Sequence, residues 1–293
     1  MRLKNYFLLV FILVFTGVAR AQVKIKYAMD EPDMVLTYMD ISKYNTLDSA
    51  YLHVTYHLSM VCDTLNPTVL SKDMMVLQIG PNLTKFYSES IYKNDSICTE
   101  LAKKTINLPL NDVAVCQGYE IFNYYHENKS KVTNRMPFSN NIYVYEENLS
   151  APQWKIDDES AKILGFNCQK AETTFKGRHY IAWFSSEIPS NSGPWKLRGL
   201  PGLILKVSDI QKHYVFECVG ISRLKSKEPI KEYQWKTRKT SLDDWSKLDK
   251  NYHKRAGAYV KNNNINIVVL RNGNWEPIQD EWEMPYNPIE RGN

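Results

Sequence analysis

The chain lacks the short motifs through which an enzyme most often shows itself. There is no G-x-S-x-G, H-E-x-x-H, P-loop or G-x-G-x-x-G pattern. C-x-x-C is missing as well, which removes support for thioredoxin-type redox chemistry and for a zinc ribbon. No segment repeats. After the first twenty residues no apolar run approaches the ~20 residues that a spanning helix needs. A strong charge imbalance is absent too once the first 21 residues are set aside. They hold Arg2, Lys4 and Arg20 and no acid, so 37 basic residues become 34 against 32 acidic, a balance of +2. That balance gives no electrostatic footing for a nucleic-acid or anionic-membrane partner.

Those 21 residues are read as a leader. A basic start precedes an apolar run from Tyr6 to Val18, too short to span a bilayer, and Ala19-Arg20-Ala21 is a small-x-small cleavage signature. Cleavage after Ala21 leaves Gln22 first, with no cysteine to take a lipid. The expectation is an exported protein, periplasmic or extracellular, with residues 22–293 forming a single domain.

What the chain has in quantity is aromatic residues: 19 Tyr, 10 Phe and 7 Trp. Together with its β-branched residues they favour strands. Alternating or β-branched runs mark strands at Val23–Tyr27, Tyr51–Met60, Met74–Ile79, Lys85–Ser88, Tyr119–Tyr125, Tyr143–Glu146, Gln153–Ile156, Phe166–Phe175, His179–Phe184, Leu203–Val207, Tyr214–Ile221 and Ile265–Leu270. Residues 127–131 read as a polar turn, and 90–117 stay open between loop and helix. Leu242, Trp245, Leu248 and Tyr252 recur at helical spacing behind a Thr240 or Ser241 cap. The fold class expected is mainly β: a curved, half-barrel-like antiparallel sheet with one or two covering helices and an extended, proline-punctuated C-terminal tail. The cysteines Cys62, Cys98, Cys116, Cys168 and Cys218 are candidates for disulfides in an oxidising compartment, and spacing alone does not choose a pairing.

The most informative stretch is Gly199-Leu200-Pro201-Gly202-Leu203-Ile204. Leu-Pro-Gly-Leu has the chemistry of a type II turn, with proline fixing φ and Gly202 supplying a positive φ. Turns are usually polar, yet this one is apolar on both sides. Around it stand Leu164 to Ala171, Gly177-Arg178, Ala182-Trp183, Glu187-Ile188-Pro189 and Gly193-Pro194-Trp195, and the chain closes with Tyr286-Asn287-Pro288-Ile289-Glu290. The set resembles the GLPGLI family of exported Bacteroidetes proteins. The resemblance implies a leader and a mostly β fold, and it carries no established activity. At the level of fold the strand pattern is also similar to carriers in which a curved sheet wraps a hydrophobic ligand.

Two readings of the loop compete. Exposed, Trp195, Leu197, Leu200 and Leu203 would form an apolar docking surface with Arg198 as polar anchor; Pro201, Gly202, Arg178 and Trp183 complete the candidate binding residues. Buried, the same residues would plug the open end of the sheet, which is how apolar side chains usually serve. No metal site is assigned. His53 and His57 stand in a strand, where four residues span about 13 Å. Cys168 with His179 reads as a core or disulfide cysteine rather than a thiol nucleophile. Glu146, Glu147, Asp157 and Asp158 read as solvated acids. Asn82, Asn94, Asn128 and Asn148 begin N-x-S/T sequons, which read as chance matches in a bacterial chain. No cofactor is expected. The expected function is a non-enzymatic envelope protein binding a hydrophobic ligand or an outer-membrane protein partner. The rivals are a hydrolase of peptide or glycan and an accessory protein of an outer-membrane transporter.

Overall fold

The computed structural model describes residues 10–13, 23–27, 38–104, 118–137, 139, 141–263, 267–271 and 274–292. The elements run β1 (Val10–Leu13), β2 (Val23–Tyr27), β3 (Tyr44–Val61), β4 (Leu70–Ile79), β5 (Leu83–Ser88) and α1 (Glu89–Lys103). Next come β6 (Tyr119–Tyr124), β7 (Lys129–Arg135), β8 (Ile142–Asn148), β9 (Lys155–Ile163), β10 (Phe166–Phe175), β11 (Arg178–Ser185) and β12 (Leu203–Asp209). The chain finishes with β13 (Tyr214–Tyr233), β14 (Thr237–Lys239), α2 (Leu242–Lys254), α3 (Ala256–Asn262), β15 (Ile267–Arg271) and β16 (Asn274–Pro277).

The main sheet has the order β14-β8-β7-β6-β5-β4-β3-β13-β12-β11-β10-β9 and stays open, since neither edge pairs with the other. All its pairs are antiparallel except β14 with β8, so the expected antiparallel sheet is in fact mixed at one edge. A smaller sheet, β1-β2-β15-β16, stands apart from it. β1 falls inside the stretch read as a leader, and the rest of that stretch lies outside the described residues.

Period-two patterning sets which face is buried. In β3, Leu52, Val54, Tyr56, Leu58 and Met60 are buried while the residues between them are partly exposed. The same face of the neighbouring strands adds Met75, Leu77, Phe86, Ile121, Val132 and Tyr145, and beyond β13 adds Tyr180, Ala182, Phe184, Leu205 and Phe216, in one continuous core. At the far edge, β9 (Lys-Ile-Asp-Asp-Glu-Ser-Ala-Lys-Ile) is exposed and charged along most of its length, which discourages pairing with other chains.

β3 and β13 are long, 18 and 20 residues, and their pairing is interrupted between Cys218 and Gly220, between Arg223 and Glu228, and between Ile230 and Lys231. Their outer arm builds a second, smaller core, where Ala50 and Ile230 meet Leu83 and Phe122.

Several elements depart from the sequence expectation. β7 runs through what reads as a polar turn, because Lys129 and Lys131 point outward to Glu127, Glu146 and Glu232. β13 continues well past Ile221 through a charged stretch. The ambiguous segment after Ser88 opens as α1, whose cap is the Ser88 side chain accepting from the Ile91 N–H. The C-terminal helix is two helices that break at Arg255, with Ser241 as the cap of α2. Three helices therefore accompany the sheet among the described residues, and none is long and apolar enough to cross a membrane.

Cys62, Cys98, Cys168 and Cys218 carry free thiols, so the anticipated cystines are not formed among the described residues, and Cys116 lies outside them. Burial pushes the Cys218 thiol up to about 11, with its hydrogen bond to the Gly220 carbonyl only partly offsetting this. Iodoacetamide at pH 8 is therefore expected to leave Cys218 unmodified in the native protein. Without reductant, denaturant should make all four thiols reactive; any of the four that reacts only after reduction would establish a bridge instead.

Candidate functional site

The hexapeptide lies between β11 and β12 and is folded onto the core face of the sheet. Trp195, Leu197, Leu200 and Leu203 are each no more than 2% exposed, packed with Tyr180, Phe184 and Phe216. Trp195 sits edge-on to Phe175, centroids 5.9 Å apart, and tilted against Tyr180 at 6.3 Å. Trp195 and Leu200 therefore fill the core face of the sheet, as in the buried reading of the loop.

The type II turn is corrected. Gly202 does not take a positive φ; Gly199 does, at 95°, with its N–H donated to the Asn191 carbonyl at 2.7 Å. Glycine is needed at 202 for a different reason. A methyl group there would overlap the Ser185 carbonyl and come within 2.7 Å of the Ser186 nitrogen. That contact brings β12 in beside the end of β11, and β12 begins at Leu203 as the sequence suggests.

Arg178 is not a surface binding residue. Its side chain and that of Asp209 are both fully buried, joined Nη1 to Oδ2 at 2.7 Å. The guanidinium also donates to the Asn287 side-chain oxygen at 2.8 Å and to the backbone carbonyls of Pro288 at 2.5 Å and Ile289 at 3.1 Å. The Tyr214 ring lies 4.8 Å from it, and the Tyr214 hydroxyl donates to the Asn287 carbonyl. Asn287 in turn donates its side-chain N–H to the Val61 carbonyl at 2.6 Å. A second fastening lies alongside. Lys196 pairs with Glu290 at 2.7 Å and with Glu147, and Lys176 pairs with Glu147 at 2.7 Å. Burial alone would raise the Glu147 carboxyl, but the two lysines outweigh it and hold it below the usual range. Arg178 and Lys196, which flank the hexapeptide in sequence, thus clasp the closing Tyr-Asn-Pro-Ile-Glu stretch.

The other candidates fall into place around this. Trp183 is half-buried on β11, between the cross-strand neighbours Lys170 and Lys206. Glu146, Asp157 and Asp158 are exposed, whereas Glu147 belongs to the clasp. His179 lies opposite Thr174, at the far end of β10 from buried Cys168, so the two form no catalytic pair. His53 meets Gln78 at 3.1 Å and Glu228 at 3.3 Å on β3.

Two concavities among the described residues bear on function. The first, about 10 Å³, is bordered by Tyr87, Asp95, Glu120, Arg135 and Tyr233. Its charges are already matched, Asp95 with Arg135 at 2.5 Å and the buried Lys85 with Glu120 at 3.2 Å. Desolvation raises the Asp95 carboxyl despite Arg135. The space holds one water at most, too little for a substrate.

The second is an open cleft of about 410 Å³ on the outer side of the hexapeptide turn. Tyr51, Tyr125, Pro81, Pro189 and Pro201 form its walls, with Ser190, Asn191, Gly80 and Gly202 between them. Tyr51 is 47% exposed. Asp48 fixes the Pro81 wall by accepting from the Asn82 and Leu83 N–H groups at 2.7 and 3.2 Å. The Tyr125 hydroxyl lies 3.1 Å from that of Ser192, and the Arg198 guanidinium stands 5.5 Å from the Tyr125 ring centre. The Arg198 carbonyl accepts from the Trp154 indole at 2.8 Å, which sets the backbone there. Of the expected binding residues, Leu200, Pro201 and Gly202 line this cleft and Arg198 adjoins it. Sequence reasoning did not find Tyr51, Pro81 and Tyr125, since nothing local links them to the turn.

Comparison with known proteins gives a family of unknown function over the stretch that holds the hexapeptide, and no activity. A family model described as a protein of unknown function (Porph_ging) matches residues 172–206, from β10 through the hexapeptide into β12. No curated protein matches. Among solved structures, two crystal forms of PNGF-II, in space groups P21 and C2, are 16% identical with a TM-score of 0.46. The matches cover 70% and 69% of this chain, and the chain spans about a third of PNGF-II, 34% and 33%.

Proposed function

We propose that the chain is an exported, non-enzymatic binding protein of the cell envelope whose ligand meets the open cleft beside Leu200, Pro201 and Gly202. Export rests on the leader reading of residues 1–21. The observation that carries the binding role is the cleft itself: exposed Tyr51, Pro81, Pro189 and Pro201 rings beside half-buried Tyr125, with the Pro81 turn held by Asp48. Binding sites join apolar walls to a few placed polar groups in this way. Its lining contains no carboxylate pair, thiol or histidine with which to break a peptide or glycosidic bond, which counts against the hydrolase reading. A carrier of enclosed hydrophobic ligands has less support, because the core face of the sheet is occupied by Trp195, Leu197 and Leu200.

A panel of peptides, oligosaccharides and lipid vesicles titrated calorimetrically against residues 22–293 tests this. Tyr51→Ala is expected to weaken the bound class about tenfold, the loss of one stacked ring with its contacts, while leaving the unfolding midpoint in place. Binding indifferent to Tyr51→Ala and Pro201→Ala, or turnover of a panel member, would overturn the proposal.

A further inference from the structure

We infer that the occupant of the cleft is an extended, proline-containing peptide segment of a partner protein, with an acidic side chain received by Arg198. This rests on the cleft being the binding surface. Two sets of observations point to it.

The first is the shape and lining. A polyproline II segment has no internal hydrogen bonds, so its carbonyls are free and its prolines stand out as ridges. Grooves that take such segments are lined by aromatic rings, and a hydroxyl or amide beside them can donate to the free carbonyls of the segment. Tyr51, Tyr125 and three prolines, with Ser190 and Asn191 interleaved, provide that composition in an open trough. A small ligand would instead be largely enclosed.

The second is charge. Buried Arg178, Lys196 and Lys85 and half-buried Arg135 have carboxylate partners: Asp209, Glu290 with Glu147, Glu120 and Asp95. Two half-buried cations stand instead against a ring with no carboxylate among the described residues, Lys231 over Tyr44 and Arg198 over Tyr125, and Arg198 is the one beside the cleft. It is half-buried against Tyr125, its guanidinium has no carboxylate among the described residues, and burial pushes its pKa down with only Tyr125 opposing. A cation that is partly stripped of water and left unpaired gains when an anion arrives. The planar guanidinium can take a carboxylate through two parallel hydrogen bonds. The cleft beside it therefore favours an acidic peptide over a neutral or basic one.

Fluorescence anisotropy on residues 22–293 tests this with labelled synthetic peptides alternating Pro-Pro with Asp, and with the same peptides carrying Asn or Lys for Asp. The Asp peptide is expected to bind, and the Asn peptide to bind about tenfold more weakly, as for loss of a charge-assisted pair. Arg198→Gln should cost the Asp peptide the same factor and the Asn peptide nothing, so that the two changes are not additive. Its unfolding midpoint should equal that of the parent, since only the backbone of Arg198 supports Trp154. Equal binding of Asp and Asn peptides, an Arg198→Gln protein that still tells them apart, or an acidic oligosaccharide that binds where none of the peptides does would overturn the inference. If Tyr51→Ala still weakens binding about tenfold in those cases, the cleft reading stands without it; if Tyr51→Ala changes nothing, both fall.

Discussion

Arg178→Met is expected to cost about 3–5 kcal/mol of stability, the usual penalty for removing one partner of a buried ion pair. The Asp209 carboxylate would be left with the Tyr214 N–H as its one remaining donor, in a place where neither side chain of the pair touches water. The Pro288 and Ile289 carbonyls would lose their donor in the same step. A domain has about 5–15 kcal/mol in total, so the variant should lie close to its unfolding threshold. Urea denaturation gives the size of the effect, and hydrogen exchange at residues 286–291 gives its place: the tail should open before the sheet. Arg178→Lys should recover little, because a point charge cannot reach an aspartate, an amide oxygen and two carbonyls together. Adding Asp209→Leu to Arg178→Met should recover part of the loss, as the unpaired charge is gone. A single variant within about 1 kcal/mol of the parent, below the range for a buried pair, would refute the clasp as a structural joint.

Gly202→Ala is expected to cost about 3 kcal/mol, at the upper end for overpacking. The added methyl would meet the backbone of Ser185 and Ser186, atoms that cannot rotate away as a flexible side chain would. Relief requires moving β12 away from β11, where Phe184 pairs with Ile204 and Ser185 with Leu203. Gly165→Ala is the control. Gly165 takes φ of 87° with open space around its would-be Cβ, so alanine there carries only the conformational penalty, about 1 kcal/mol. Chemical denaturation of the two variants should rank them in that order. The reverse order would show that the close approach at 202 relaxes at little cost and is not what demands glycine there.

Much of the sheet can be read from the sequence because its signal is local. Alternation in Leu52 to Met60 fixes a face, and the Lys176-Gly177 turn fixes the register of β10 with β11. Where solvent-facing charge masks alternation, the reading fails. β7 hides behind Lys129 and Lys131, and the outer arm of β13 behind Arg223 to Lys231. α1 is obscure because its core-facing residues include polar Asp95 and Thr99. The site is harder still. The hexapeptide is visible as an anomaly, but a proline-glycine pair in sequence cannot tell a positive φ from a close backbone approach. Arg178 meets partners more than a hundred residues away, and Tyr51 and Tyr125 join the cleft only through the fold.

Asn287 also bears on how long the molecule stays intact. Asparagine in proteins ages mainly by attack of the following backbone nitrogen on the side-chain amide, closing a succinimide that opens to a carboxylate. At position 287 that carboxylate would face the Val61 carbonyl, which now receives the amide N–H. The residue that follows is Pro288, whose nitrogen carries no hydrogen and is already fully substituted. The amide that ties the tail to Arg178 and Val61 is thus shielded from the main route of its own chemical decay.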